Sequence, residues 1–166
     1  MKRYYILIVL CLAFAITSAK SVSYKVVSDS LVEFKMDSLK LISFQDILEK
    51  QYEKYDHVKY RYAGRSEKGF DCSGFVGTVF QNLFEIKLPR SSREMVNVGK
   101  EIPKEQLQIG DLVIFKPPGY SHVGIYLGDG VFMHSSTKLG VTKSSIDSTY
   151  WKKYYKTSRR VLTSNL

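Results

Sequence analysis

Apolar positions fall at helical spacing in two stretches and at strand-like spacing in the later part of the chain. From Ser43, the order Ser-Phe-Gln-Asp places an N-cap candidate three residues before an acid. Phe44, Ile47, Leu48 and Tyr52 then recur on one face through about Tyr55, which predicts an amphipathic helix. A second helix is predicted after Asp71, a good N-cap residue. Cys72, Phe75, Val76, Val79, Phe80 and Leu83 form its apolar stripe. Gly74 and Gly77 sit early in it, each costing about 1 kcal/mol relative to alanine. Close approach of another backbone is the expected compensation.

Beyond Pro89 the pattern changes. Leu112-Val113-Ile114-Phe115 is a buried-strand candidate, ended by Pro117-Pro118-Gly119. His122 to Leu127 and Val131 to Ser136 flank Gly128-Asp129-Gly130, a hairpin signal because glycine permits the positive φ of tight turns. Val141 to Lys143 suggests another strand, Ser148 to Tyr155 a short aromatic helix or turn, and Arg160-Val161-Leu162 a strand closing the sheet. Helices followed by antiparallel strands make an α+β pattern.

The start of the chain reads differently. Lys2 and Arg3 precede an uncharged run from Tyr4 to Ile16, and Thr17-Ser18-Ala19 follows. That order is the signature of a secretory signal peptide, with cleavage expected after Ala19. The run falls short of the roughly 20 residues that span a bilayer, so an uncleaved anchor is the lesser alternative. The expected organisation is a signal peptide over 1–19, a lead-in over 20–42 and one folded domain over 43–166. No second apolar run follows, so no transmembrane segment is expected after cleavage. The chain is formally +9, and losing Lys2 and Arg3 leaves 23 basic and 16 acidic residues, a net +7. Such a charge attracts anionic polymers. Export argues against nucleic acid, and no basic, aromatic-interleaved run for gripping single strands is present.

Cysteine usage adds chemistry. Cys11 lies in the signal's apolar run, where bulky Leu10 before it disfavours lipid attachment. Cys72 is then the only thiol of the mature chain. An exported protein with one unpaired cysteine holds it either as a small buried apolar residue or as a reactive group. Taken alone, Cys72 fits both. Its place in the first turn of a helix favours thiolate through unpaired N–H groups and the helix dipole, with Asp71 working partly against this.

A nucleophilic cysteine needs a base, and the base an orienting partner. The histidines are His57, His122 and His134. Each alone is more often structural. With a three-residue loop at 128–130, position 122 pairs with 136, leaving His134 a diagonal neighbour of His122 on the same face. A two-residue loop would put them on opposite faces. Zinc ligation by Cys72, His122 and His134 is the competing reading, but no C-x-x-C or H-x-x-x-H pair fixes two ligands locally. Neither metal nor cofactor is expected.

Six blocks stand in the order and spacing of the NlpC/P60 peptidases. They are Tyr60-Arg61-Tyr62-Ala63-Gly64, Asp71-Cys72-Ser73-Gly74-Phe75-Val76, Leu88-Pro89-Arg90-Ser91-Ser92, Gly110-Asp111-Leu112-Val113-Ile114-Phe115, His122-Val123-Gly124-Ile125-Tyr126 and His134-Ser135-Ser136. The chain resembles that family from about Ser43 to Val161. The resemblance implies a papain-like α+β fold, N-terminal helices packed on an antiparallel sheet, and an exported endopeptidase acting on peptidoglycan stem peptides or cross-links in the periplasm, the envelope or the medium. It implies Cys72 as nucleophile, His122 as base and His134 as its orienting partner. Tyr60 would help hold the oxyanion, and Asp71 and Ser73 would line the substrate cleft, with helix capping the plainer role for Asp71. Arg90 matches a recurrent family position without a definite role. Ala63 departs from the family, which often has glycine there. A catalytically idle wall-binding protein, or an amidase or acyl transferase on the same scaffold, are the alternative functions.

Overall fold

The computed structural model describes residues 32–33, 35–36 and 44–162. The expected signal peptide, Cys11 and most of the lead-in lie outside the described residues. Contacts divide the chain into Met1–Ser43 and Phe44–Leu166, and the site belongs to the second unit. Among the described residues, no helix is long and apolar enough to cross a membrane.

Helix α1 covers 44–55. Leu48 and Tyr55 are buried, and Phe44 and Tyr52 pack against the same core. Ile47, counted on the inner stripe from spacing, is instead 40% exposed. The inner face runs through 44, 48, 52 and 55, which leaves position 47 at its margin. Two short strands, β1 (Arg65–Ser66) and β2 (Gly69–Phe70), form a hairpin leading into helix α2 (Cys72–Phe84). Asp71 caps α2: its φ and ψ are −87° and 174°, and its Oδ1 accepts from the Gly74 N–H at 2.6 Å. The stripe is buried as its spacing requires, through Cys72, Phe75, Val76, Val79 and Phe80.

The two glycines of α2 behave differently. A Cβ on Gly74 would be driven into the Gly64 carbonyl oxygen, the close backbone approach that justifies glycine there. Nothing lies within 4 Å of a Cβ on Gly77, so no such reason holds for it. The two alanine substitutions should therefore have opposite signs. Gly74→Ala is expected to destabilise by about 2 kcal/mol or more through overpacking against immobile backbone. Gly77→Ala is expected to stabilise by up to about 1 kcal/mol through helix propensity. Urea-unfolding midpoints of the two variants check this, and a shift of the same sign in both would contradict it.

The main sheet has six strands in the order β3–β8–β4–β5–β6–β7, and every neighbouring pair is antiparallel. They are β3 (Lys100–Ile102), β4 (Leu112–Phe115), β5 (His122–Gly128), β6 (Val131–Ser136), β7 (Gly140–Ser145) and β8 (Tyr155–Arg160). Short 3-10 turns at Glu94–Asn97 and Lys104–Gln106 flank β3, and α3 (Thr149–Tyr154) precedes β8. The last strand begins earlier than the pattern suggests and lies inside the sheet, between β3 and β4, rather than closing an edge. The Arg160 guanidinium pins it there, donating to both oxygens of the buried Asp111 carboxylate at 2.9 and 2.7 Å.

Alternation along the strands separates two layers. Leu112, Ile114, Val123, Ile125, Leu127 and Met133 face α1 and α2. Val113, Phe115 and Phe132 face the other way, against Ile146, Trp151, Tyr154 and Tyr155. This is the expected α+β arrangement, with helices on an antiparallel sheet.

Candidate active site

Cys72 reaches the sheet from the α2 side. It is free and 9% exposed. The backbone N–H of Val123, the residue after His122, points at its sulfur, as does its neighbour Ser73's N–H, and the Ser92 hydroxyl lies beside it. That hydroxyl has one proton, which at rest goes to the Ser121 carbonyl at 2.9 Å and can swing to a thiolate. The helix N-terminus was expected to lower the thiol's pKa, but the structure gives the opposite. Burial pushes it up, the Val123 N–H opposes this, and the Asp71 charge adds to the rise. Desolvation is the largest influence and exceeds that of the Val123 and Ser73 N–H groups, which favour thiolate. At rest the site holds a neutral thiol.

The histidines meet as the diagonal register requires. Ile125 pairs with Met133 and Tyr126 with Phe132, the register that carried to the strand ends sets 122 opposite 136. The connection itself differs from expectation. Gly128 pairs with Val131 across a two-residue turn, Asp129-Gly130, with φ of 49° and 72°. A bulge between Tyr126 and Gly128 supplies the extra residue, so the two rings stay on one face. His122 Nε2 and His134 Nδ1 are 2.9 Å apart, and His134 Nε2 is 3.0 Å from Ser144 Oγ. The nitrogen of His122 left for the cleft is Nδ1. Among the described residues no hydrogen bond joins the thiol to His122, and catalytic bonds of this kind are often unmade until substrate binds.

Aromatic rings enclose the pair. Trp151 stacks on His122 with centroids 4.9 Å apart at 30°, and meets His134 edge-on at 5.1 Å. Phe132 stacks on His134 at 4.8 Å. Burial holds His122 down to about 4, and burial with the charge of His122 holds His134 well below the usual histidine range. Both rings are thus neutral at neutral pH. In the unfolded chain they take protons near 6.5, so between about pH 6.5 and 4 the unfolded state binds more protons. Stability is complete above that window and is lost as pH falls through it. His122 alone accounts for about 3 kcal/mol. Thermal unfolding should show the melting temperature falling by roughly 10 °C from pH 7 to pH 4; a flat profile would contradict it.

The remaining expected residues fall around the thiol. Tyr60 is half-buried and bridges to Phe70, two residues before Cys72. Its phenol is pushed up by burial first and then by the charges of Cys72 and Asp71, which marks them as neighbours. Asp71 is committed to structure. Beyond the cap it accepts from Arg90 at Oδ1 and Oδ2, at 3.1 and 2.6 Å, and from Ser73 Oγ at 3.2 Å. Arg90 also donates to Ser73 Oγ at 3.0 Å, which gives the recurrent arginine a definite task. Ala63 has φ of 58°, so its methyl carries the left-handed strain that glycine would avoid, about 1 kcal/mol. The exposed Tyr120 and Tyr150 meet through their hydroxyls at 2.7 Å, with Tyr120 near enough to Cys72 to feel its charge. Burial and that contact push Tyr120 up to about 12. Ser92, Ser144 and Trp151 carried no assigned role in the sequence pattern, although Ser92 sits in a family block and Trp151 is the single tryptophan.

The NlpC/P60 family model matches residues 57–160. The chain belongs to that family. It is 46% identical over 114 residues to a protein of Escherichia coli K12 named murein DD-endopeptidase MepS/murein LD-carboxypeptidase, covering 68% of this chain and 61% of that protein. It therefore spans about three fifths of the length of that relative. Among solved structures, an NlpC/P60 family protein of Bacillus cereus is 33% identical, with a TM-score of 0.66 over 72% of this chain and 40% of that one. RipD of Mycobacterium tuberculosis, described as a non-catalytic NlpC/p60 domain protein adapted to peptidoglycan binding, is 26% identical, with a TM-score of 0.59 over 72% and 98%.

Proposed function

We propose that this NlpC/P60 chain is an exported cysteine hydrolase that cuts an amide bond in peptidoglycan stem peptides or cross-links. The observation that carries the reading is the His122–His134 bond at 2.9 Å, on a strand whose next residue, Val123, turns its backbone N–H to Cys72 at the start of α2. Substrate entering the cleft brings the carbonyl to Cys72. Its thiol proton passes to His122 Nδ1 as sulfur attacks carbon. The tetrahedral oxyanion is held by the Cys72 N–H, a first-turn donor with no intrahelical acceptor, and by the Tyr60 hydroxyl. His122 returns the proton to the leaving amine, and the C–N bond breaks to leave a thioester. Water, deprotonated by His122, hydrolyses the thioester and restores the thiol. The Ser92 hydroxyl, released from Ser121, steadies the thiolate. Asp71, Ser73 and Arg90 form one wall of the cleft. Oxyanion formation in a water-poor site is where fixed donors act most strongly.

The E. coli relative's name favours cross-bridge amides over the D-glutamyl–diamino acid bond. Mass spectrometry of the products from a defined cross-linked muropeptide separates these two bonds. It also separates hydrolysis from acyl transfer, which would leave the acyl half on an added amine. RipD gives substance to a second reading, a wall-binding protein without turnover. The paired histidines and free thiol favour catalysis, and retention on peptidoglycan with intact muropeptides would favour binding.

A further inference from the structure

The chain of contacts from the cleft continues past His134 to Ser144 on β7, whose Oγ is 3.0 Å from His134 Nε2. A neutral imidazole carries one N–H, so two proton arrangements fit the pair. In the first, His122 Nε2–H donates to His134 Nδ1, His134 carries its proton on Nε2, and Ser144 accepts it. His122 Nδ1 is then bare and can take a proton from the thiol. In the second, His134 Nδ1–H donates to His122 Nε2, Ser144 donates to His134 Nε2, and His122 Nδ1 already holds a proton. That arrangement has no base facing Cys72.

Ser144 separates the two. Its side chain is half-buried at the margin of the sheet, where its own proton has solvent to go to. The far nitrogen of His134 sits among Phe132 and Trp151, and His134 is 1% exposed, so whichever role this nitrogen takes, Ser144 is the partner that has to match it. Once the thiol proton reaches His122, the pair is cationic. An acceptor at the far end then stabilises the charge, whereas a donor would oppose it.

We propose that Ser144 is a positioning residue that accepts the Nε2–H of His134, and so selects the tautomer that leaves His122 Nδ1 free as the base. The proposal rests on the catalytic reading above. Threonine and valine at 144 have nearly the same shape, and both suit a strand, so they separate the hydroxyl from packing. Nitrogen-15 NMR of histidine-labelled protein at pH 7 reads the tautomer without substrate. Wild type and Ser144→Thr should carry the His134 proton on Nε2, and Ser144→Val should lose that preference. On a muropeptide, Ser144→Val should lower kcat by about 10- to 100-fold with KM little changed, and Ser144→Thr should restore it. An unchanged tautomer in Ser144→Val, or a changed tautomer with unaltered kcat, would overturn the proposal. If no muropeptide is cut by wild type, the hydrolase reading fails and the NMR still decides: Nε2–H on His134, lost only in Ser144→Val, supports the role of Ser144, and Nδ1–H in wild type overturns it.

Discussion

Replacing His122 with glutamine is expected to lower muropeptide hydrolysis by on the order of 10⁴-fold while leaving the circular dichroism spectrum unchanged. Glutamine nearly matches imidazole in reach but cannot take the thiol proton. The neutral thiol makes the effect large, because burial holds the sulfur protonated and attack then needs a base to take its proton. Cys72→Ala should fall to the same floor, and the double variant no further, since residues acting as one unit lose their effect together. Independent, multiplying losses in the double variant would contradict this.

Asp71→Ala is expected to lose about 3 kcal/mol of stability. The substitution removes the N-cap of α2, worth about 1 kcal/mol. It also leaves the Arg90 guanidinium, one-third exposed, facing the gap of an almost buried partner. Asp71→Asn separates these contributions, because asparagine still accepts from the Gly74 N–H but pairs poorly with Arg90. It should lose less than half as much. The same change removes a negative charge beside Cys72, so the thiol's pKa should move down. Urea denaturation gives the stabilities, and iodoacetamide reaction rates against pH give the thiol. Asp71→Ala within 0.5 kcal/mol of wild type, a difference typical of neutral surface changes, would contradict the structural role.

What the sequence could show followed from local physics. The α2 stripe and the Asp71 cap are set by residues within one or two helical turns, so Cys72 at the helix start was readable from spacing alone. The family blocks then marked Tyr60, His122 and His134 as companions. The histidine register was reached by a different route from the one expected. A three-residue loop and a two-residue turn with a bulge give the same pairing, and nothing in Leu127-Gly128-Asp129-Gly130 distinguishes them locally. Long-range pairing hid the rest. The place of β8 inside the sheet depends on Arg160 finding Asp111, 49 residues earlier. Ser144 and Trp151 reach the histidines only once β7 and α3 are folded over them. The thiol's pKa was misjudged because a helix N-terminus is visible in sequence while the packing that excludes water from it is not.

The measurement that bears most directly on Cys72 is release of soluble fragments from purified peptidoglycan by wild type and Cys72→Ala side by side, each confirmed folded by its thermal transition. Wild type should release fragments carrying newly freed amines, and Cys72→Ala should release none. Equal release by both proteins, or binding by wild type without any release, would contradict a hydrolase built on Cys72.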